Sequence, residues 1–327
     1  MTAETAQNRP LVGISFICAA MLAISVNDML IKWLSGDYPL HQIVFTRSII
    51  GIMISLIIVH FEGGWRILKT SQPGWHALRG ILIVIANMTF FAALAVLPLG
   101  EATALFFVAP LIITLLSVPV LGEKLGPLRI SAVLVGFLGV LIMTQPWSGS
   151  GARLAPLYIY LLPLIGAFTY AANQVLTRKL GVRSKASAMA VYIQMAFIIV
   201  SVGFFVVAGD GRYAEGLSDQ SLIFLLRAWT LPEGTDVWLF LGLGAVSAVV
   251  GYTIAQAYRV ANPATVAPFE YVGLPLAIFW GWVFFADLPS GIVLLGIALI
   301  FGSGLFVFLR EHQKNKRLVS SKHVQLR

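Results

Sequence analysis

The stretch "SVNDMLIKWLSGDYPLHQIVFTRS", residues 25–48, sets Asn27, Asp28 and Arg47 inside two apolar runs. A carboxylate can bind a proton or a cation, and a guanidinium can hold a carboxylate or a polar carbonyl. An ionised side chain at mid-bilayer costs about 2.5–3.5 kcal/mol on insertion scales, so it must face a partner or a wet cavity. Asp28 lies ~9 Å from the Leu34 end of its run, and Arg47 ~10 Å from the Leu40 end of the next, at helical rise. Matched depths and the short "SGDYP" connection predict an Asp28–Arg47 contact between neighbouring helices. Two readings of Asp28 stand side by side. In one it is a structural charge satisfied by Lys32, one turn on in the favourable acid-before-base order. In the other it is a proton or cationic-substrate site for which Arg47 competes.

The second candidate group surrounds Glu270, with Tyr271 beside it and Pro268 before it. A proline there frees a backbone carbonyl and can break the helix, which a membrane tolerates where backbone lines a cavity. Tyr252, Gln256 and Arg259 share one stripe of the preceding run by their spacing of four and three. Asn173 and Gln174 are adjacent, so about 100° separates them around a helix and only one can face a cavity squarely. Asn87, Thr89 and Gln194 suit either a cavity wall or an interhelical hydrogen bond. Glu101 reads as an acid at a helix start, suited to the dipole rather than to a ligand. Phe106, Phe107, Phe269, Trp280 and Trp282 could stack on a flat or cationic substrate, although lipid-facing placement is the commoner fate of such rings.

The elements that must carry these residues follow from composition. The chain of 327 residues is 58% hydrophobic and 11% charged, where a soluble domain carries roughly 25% charge. Runs long enough to cross a bilayer recur at 11–34, 40–61, 77–97, 100–121, 127–144, 157–178, 187–208, 236–258, 262–285 and 290–309. They do not alternate as barrel strands would, so the expected fold is an all-α integral membrane protein of ten transmembrane helices. The loop at about 209–235 is the one sizeable connection, and "SLIFLLRAW" within it reads as a short interfacial helix or cap. A single cysteine, Cys18, excludes disulfides and thiolate metal clusters.

Orientation follows from the 22 Lys and Arg residues. Nearly all fall at the termini or in the connections on the same side as the termini. Only Lys32, Arg153, Arg212 and Arg227 fall on the other side, with Arg47 inside a run. Both termini are therefore expected in the cytoplasm, with 209–235 outside. The surplus of positive charge belongs to cytoplasmic loops and not to a nucleic-acid site.

The chain also repeats itself. "SVNDMLIKWL" aligns with "AANQVLTRKL", placing Asn27 on Asn173, Asp28 on Gln174 and Lys32 on Arg178. "AVLPLGEATALFFVAPLIITLLSVPVLGEKLGP" aligns with "RVANPATVAPFEYVGLPLAIFWGWVFFADLPSG", placing Glu123 on Asp287. An odd number of spans in each half inserts the halves in opposite orientations, an architecture of secondary transporters with the substrate site between them. These residues, with "GFLGVLIM" and "GIALIFGSGLF", resemble the drug/metabolite transporter superfamily in its ten-helix bacterial branch built from two EamA-type units. The resemblance covers about residues 11–310, although the second unit has Ala286-Asp287 where a Gly-Glu is typical. It implies repeats at 11–146 and 157–309, joined by 147–156, with a cytoplasmic N-terminus at 1–10 and a basic tail at 310–327. It also implies a bacterial inner-membrane location, a central cavity and a substrate such as an amino acid, S-adenosylmethionine or riboflavin.

Other classes fit less well. No run holds a His-Glu-x-x-His or similar arrangement for an intramembrane zinc protease, or an aspartate-rich motif for magnesium diphosphate, so an enzyme is not expected. No phosphate-binding Gly-x-x-x-x-Gly-Lys loop exists for nucleotide-driven transport. A polytopic receptor or sensor stays open as the alternative. The expected partners are a small-molecule substrate, the lipid bilayer and a proton as coupling ion, with no cofactor, no metal and no nucleic acid, in a monomer or homodimer.

Overall fold

Prolines and glycines between apolar runs set where each helix starts and stops. The computed structural model describes residues 10–70, 72–121, 126–147, 154–180, 186–260 and 267–324. Among them every regular element is helical: α1 (Pro10–Leu34), α2 (Leu40–Glu62), α3 (Pro73–Leu94), α4 (Leu99–Phe106), α5 (Ala109–Leu121), α6 (Pro127–Thr144), α7 (Leu157–Leu180), α8 (Ala186–Ala208), α9 (Gln220–Leu226), α10 (Asp236–Val260), α11 (Gly273–Phe285) and α12 (Gly291–Val324). Tighter 3-10 turns cover Trp65–Leu68 and Ala267–Val272. Pro73 and Pro127 open α3 and α6 in the first turn, where a missing N–H removes no helical bond. The α2 helix ends on Gly63 and Gly64, whose φ angles of 149° and 71° disfavour a side chain.

Among the described residues, seven helical stretches are long and apolar enough to cross a membrane, Leu99–Val120 counted as one, and the apolar helices Ile130–Thr144, Phe269–Phe285 and Gly291–Phe306 are shorter. The protein is an all-α, multi-pass membrane protein. The fourth run departs from the single helix expected: it breaks at Phe107 and Val108 into α4 and α5. Pro110 lacks the N–H that would bond back across this point, which explains why the ladder stops here. The ninth run begins as a 3-10 turn around Glu270 before α11 takes over at Gly273.

Packing runs between the two halves of the chain. α1 lies on α10 and α7 on α3; α2 lies on α10 and α8 on α3; α1 lies on α11 and α7 on α4 and α5. In each of these pairings, moving five runs along the chain exchanges one contact for the other. The remaining major contacts, α2 with α8, α6 with α12 and α4 with α11, map onto themselves. The α6–α12 contact is a close backbone approach: a Cβ on Gly139 would lie 2.7 Å from the Gly296 carbonyl, and one on Gly296 the same distance from the Gly139 carbonyl. Small residues allow such approach where lipid offers helices no hydrophobic drive to associate.

Residues 209–235 fold as a cap over one end of the bundle. Asp219 caps α9 by accepting from the Ser221 and Leu222 amides at 2.9 and 3.1 Å. Ser221 donates to the Ala92 carbonyl at 2.6 Å. Gln42 exchanges two hydrogen bonds with Thr230, giving one from Nε2 and accepting the Thr230 amide at 3.1 Å. Trp229 packs on Phe45 and Phe205 with ring centres 5.2 and 4.6 Å apart. The α9 helix is thus a docked cap rather than a free interfacial helix. Tyr38, in the α1–α2 turn, donates to Asp236 at 2.7 Å. Burial, then this carboxylate, pushes its phenol above the ordinary value and keeps it a donor. Arg227 donates to the Gly36 carbonyl.

Candidate functional site

The α2 helix carries Arg47 into the middle of the bundle, where it is only 5% exposed. Its Nη1 donates to Asn27 Oδ1 on α1 at 3.3 Å, and Nη2 donates to Asn87 Oδ1 on α3. The guanidinium also lies over the rings of Phe91 and Phe197, 5.5 and 5.2 Å from their centres. Two carboxamides and two aromatic faces therefore hold a planar cation in one orientation. Asn27 in turn donates from Nδ2 to Asp28 Oδ1 at 2.9 Å.

The direct Asp28–Arg47 contact expected from matched depths is not formed; Asn27 stands between them. Depth along two helices says nothing of rotation, and adjacent residues on α1 diverge by about 100°. A carboxamide offers an acceptor on one side and a donor on the other, so it bridges cation and anion. Asp28 is half-buried, and its Oδ2 makes no hydrogen bond with the described residues. The arrangement leaves one carboxylate oxygen open beside a fixed, cation-linked carboxamide.

Lys32 is not the partner of Asp28 either. Its Nζ donates to the carbonyls of Leu94 and Leu97, at 3.1 and 2.8 Å, and lies 5.2 Å from the centre of the Phe285 ring. Basic side chains commonly bond the last carbonyls of a helix, as here at the end of α3. Glu101 and Asp287 lie within electrostatic reach of this ammonium. Glu101, read from sequence as a dipole acid, is 4% exposed in the first turn of α4.

The break between α4 and α5 turns Phe106 and Phe107 to different neighbours. Phe106 packs on Tyr170 of α7 and Phe90 of α3, with ring centres 5.4 and 5.2 Å apart. Phe107 packs on the buried Tyr271 at 5.5 Å. Gln174 donates to the Tyr170 hydroxyl at 2.7 Å. Glu270 is half-buried, within electrostatic reach of both tyrosines. This second group, on α4, α7 and the 3-10 turn before α11, combines a carboxyl with aromatic surfaces.

Asn173 is buried on α7, outside the Arg47 group. Gln256 donates to Tyr252 one turn back on α10, at 2.8 Å. Tyr252 lines a cleft with Ser55, Ser187 and Gly251 between α2, α8 and α10, nearer the end that bears the termini. Thr89 bonds its own helix at Ile85, and the Gln194 amide presses on Gly51. The Arg259 and Pro268 side chains and the Glu123-Lys124 turn lie outside the described residues. Among the described residues no cluster of three His, Cys, Asp or Glu side chains could hold a metal ion.

Sequence reasoning missed three things here: the aromatic faces around Arg47, its bond to Asn87, and the acids beside Lys32. All join positions far apart in the chain. The only available signal was that Asn87 is a polar residue deep within an apolar run.

Residues 11–145 match the model of the EamA-like transporter family. The chain is 31% identical over 315 residues to a riboflavin transporter of Vibrio cholerae serotype O1, covering 95% of this chain and 97% of the relative. It is 28% identical to a riboflavin transporter of Rhizobium johnstonii, over 95% of each chain. It is also 24% identical to an S-adenosylmethionine uptake transporter of Rickettsia prowazekii, over 95% and 96%. A chain of known crystal structure, 21% identical, superposes with a TM-score of 0.61 over 93% of this chain and 97% of that one, which supports the fold. Likeness sustained from end to end makes the protein a transporter and not an enzyme: the chain belongs to the EamA-like transporter family, within the drug/metabolite transporter superfamily.

Proposed function

We propose that the protein moves a small polar metabolite with a flat heterocyclic ring, of the kind riboflavin represents, across the bacterial inner membrane by alternating access. The observation that carries this reading is end-to-end similarity to proteins named as riboflavin transporters. The site chemistry agrees with it. The open oxygen of Asp28 and the Asn27 and Asn87 carboxamides suit the polar edge of a heterocycle. Phe106, Phe107, Tyr170 and Tyr271 are flat surfaces on which its ring can stack.

Runs 11–146 and 157–309 act as two inverted repeats that rock against each other, and both termini lie in the cytoplasm. The exchange of helix contacts between the halves supports the first point, and the Lys and Arg distribution supports the second. Without a nucleotide-binding loop in the sequence, the drive is a gradient of substrate or proton. S-adenosylmethionine, carried in the names of other relatives, is the competing substrate.

The experiment is flux into liposomes holding the purified protein, from a mixed pool of flavins, nucleoside compounds and amino acids, read by mass spectrometry with and without a pH gradient. Protein-dependent entry of riboflavin is expected. Entry of S-adenosylmethionine alone would move the substrate, and entry of nothing from the pool would end the proposal.

A further inference from the structure

At the capped end of the bundle Lys32 joins four elements. It sits on α1, donates to two carbonyls at the end of α3, lies over Phe285 at the end of α11, and has Glu101 of α4 and Asp287 in its field. Trp33, its neighbour, packs on Phe284 and Phe285 with ring centres 5.9 and 6.2 Å apart. Any mouth opening at this end between α1, α3, α4 and α11 must pull these contacts apart.

Glu101 has no evident structural need to be charged. It is buried, and it makes no hydrogen bond or ion pair with any described residue. The charged groups that face it are Lys32 from α1 and Asp287 from the α11–α12 turn. The α7 and α12 helices, also packed on α4, carry their Lys and Arg only towards the opposite end, from Arg178 and Arg310 onward. The α3 terminus adds carbonyl oxygens, and so further negative potential. With both acids ionised the trio carries one net negative charge, and one proton makes it neutral. A buried carboxylate next to a second acid is costly when ionised, and hydration on opening removes that cost.

We propose that Lys32, Glu101 and Asp287 form a proton-binding latch across the extracytoplasmic mouth. The closed mouth holds one proton on Glu101, and opening hydrates that carboxyl and releases it. Lys32 exchanges its carbonyl partners for water or for the ionised acids at the same step. The latch rests on the alternating-access reading above and places a proton exit at the moment the substrate site meets the outside. The sign follows from linkage: the state that binds the proton more tightly, the closed one, is favoured as pH falls.

The test uses the full chain in lipid nanodiscs without substrate. In a Cys18→Ala background, spin labels at Gly36→Cys and Leu288→Cys report the distance across the mouth by electron paramagnetic resonance. As pH rises from about 5.5 to about 8.5, the long-distance population should grow, with an open-to-closed ratio rising at most about tenfold per unit for one proton. Glu101→Gln, isosteric and permanently uncharged, should be flat across this range. Asp287→Asn, at a half-buried turn position and a safeguard should the first variant fail to fold, should move the transition to lower pH by removing the neighbouring charge. A parent distance that ignores pH, or a Glu101→Gln profile matching the parent's, would overturn the latch. Flux with no pH response would sink the latch alone, and a pH response with no flux would sink only the transport reading.

Discussion

Arg47 and Lys32 are two cations on consecutive helices that both pack on α10 rather than on each other, and neither forms an ion pair with the acid that sequence offers it. Arg47 binds carboxamides at the centre of the bundle, whereas Lys32 binds backbone carbonyls at its capped end. The difference lies in freedom. Two aromatic faces and two separate helices fix the guanidinium of Arg47. The ammonium of Lys32 is half-buried on a flexible stem, and its carbonyl partners would accept water equally well. The rigid cation ties α1 and α3 to α2, and in the proposed cycle it stands behind the substrate while the releasable one closes the mouth. Asn27 fixes one oxygen of Asp28 and leaves the other without a hydrogen bond, the one the proposal gives to the substrate.

The largest expected effect breaks the rigid half of this comparison. Arg47→Lys keeps the charge but not the fork that spans Asn27 and Asn87. Hydrogen bonds to charged groups contribute about 1.5–3 kcal/mol in soluble proteins, and side-chain bonds between membrane helices about 0.6. A loss of about 2–4 kcal/mol is expected once guanidinium stacking is included, visible as a lower midpoint of thermal unfolding in detergent and near-background flux. A variant as stable as the parent would show that Arg47 is not a fixed hub.

Lys32→Met should do the reverse, with a small change in unfolding midpoint but a larger open-mouth population at every pH in the spin-label distances. If it lowers stability as much as Arg47→Lys does, the division into rigid and releasable cations fails. The smallest effect belongs to the cap. Gln42→Leu removes two hydrogen bonds to Thr230 and should cost about 1 kcal/mol or less. Faster hydrogen exchange in α9 with nearly unchanged flux is the expected signature. A severe flux defect would make the cap part of the mouth.

Much of the fold was legible because lipid enforces helices, so that apolar length alone marks the runs. The division of the fourth run was not: Pro110 signals a possible break, but a proline within a membrane helix is often absorbed by neighbouring groups. At the site, depth correctly brought Asp28 and Arg47 to one level of the bundle but could not resolve the rotation that put Asn27 between them. The shared face of Tyr252 and Gln256 was legible because it needs only one helix and a spacing of four, and the structure adds a hydrogen bond between them. The environment of Lys32 was not, because its acceptors are backbone carbonyls, which every residue owns and no residue type advertises. Glu101 does sit in the first turn of α4, as read, but its burial was not legible, for a related reason. A helix-start acid has the same sequence signature whether water surrounds it or it is buried near Lys32 and Asp287.

The central claim is that Asp28, held by Asn27 from Arg47, contacts the transported molecule. Its most direct test is riboflavin uptake into liposomes containing equal amounts of folded wild-type protein or Asp28→Asn. The account predicts protein-dependent uptake that falls about tenfold in Asp28→Asn, as expected for loss of about 1.4 kcal/mol of substrate binding at limiting concentration, with an unchanged unfolding midpoint. Equal uptake by the two proteins would contradict it.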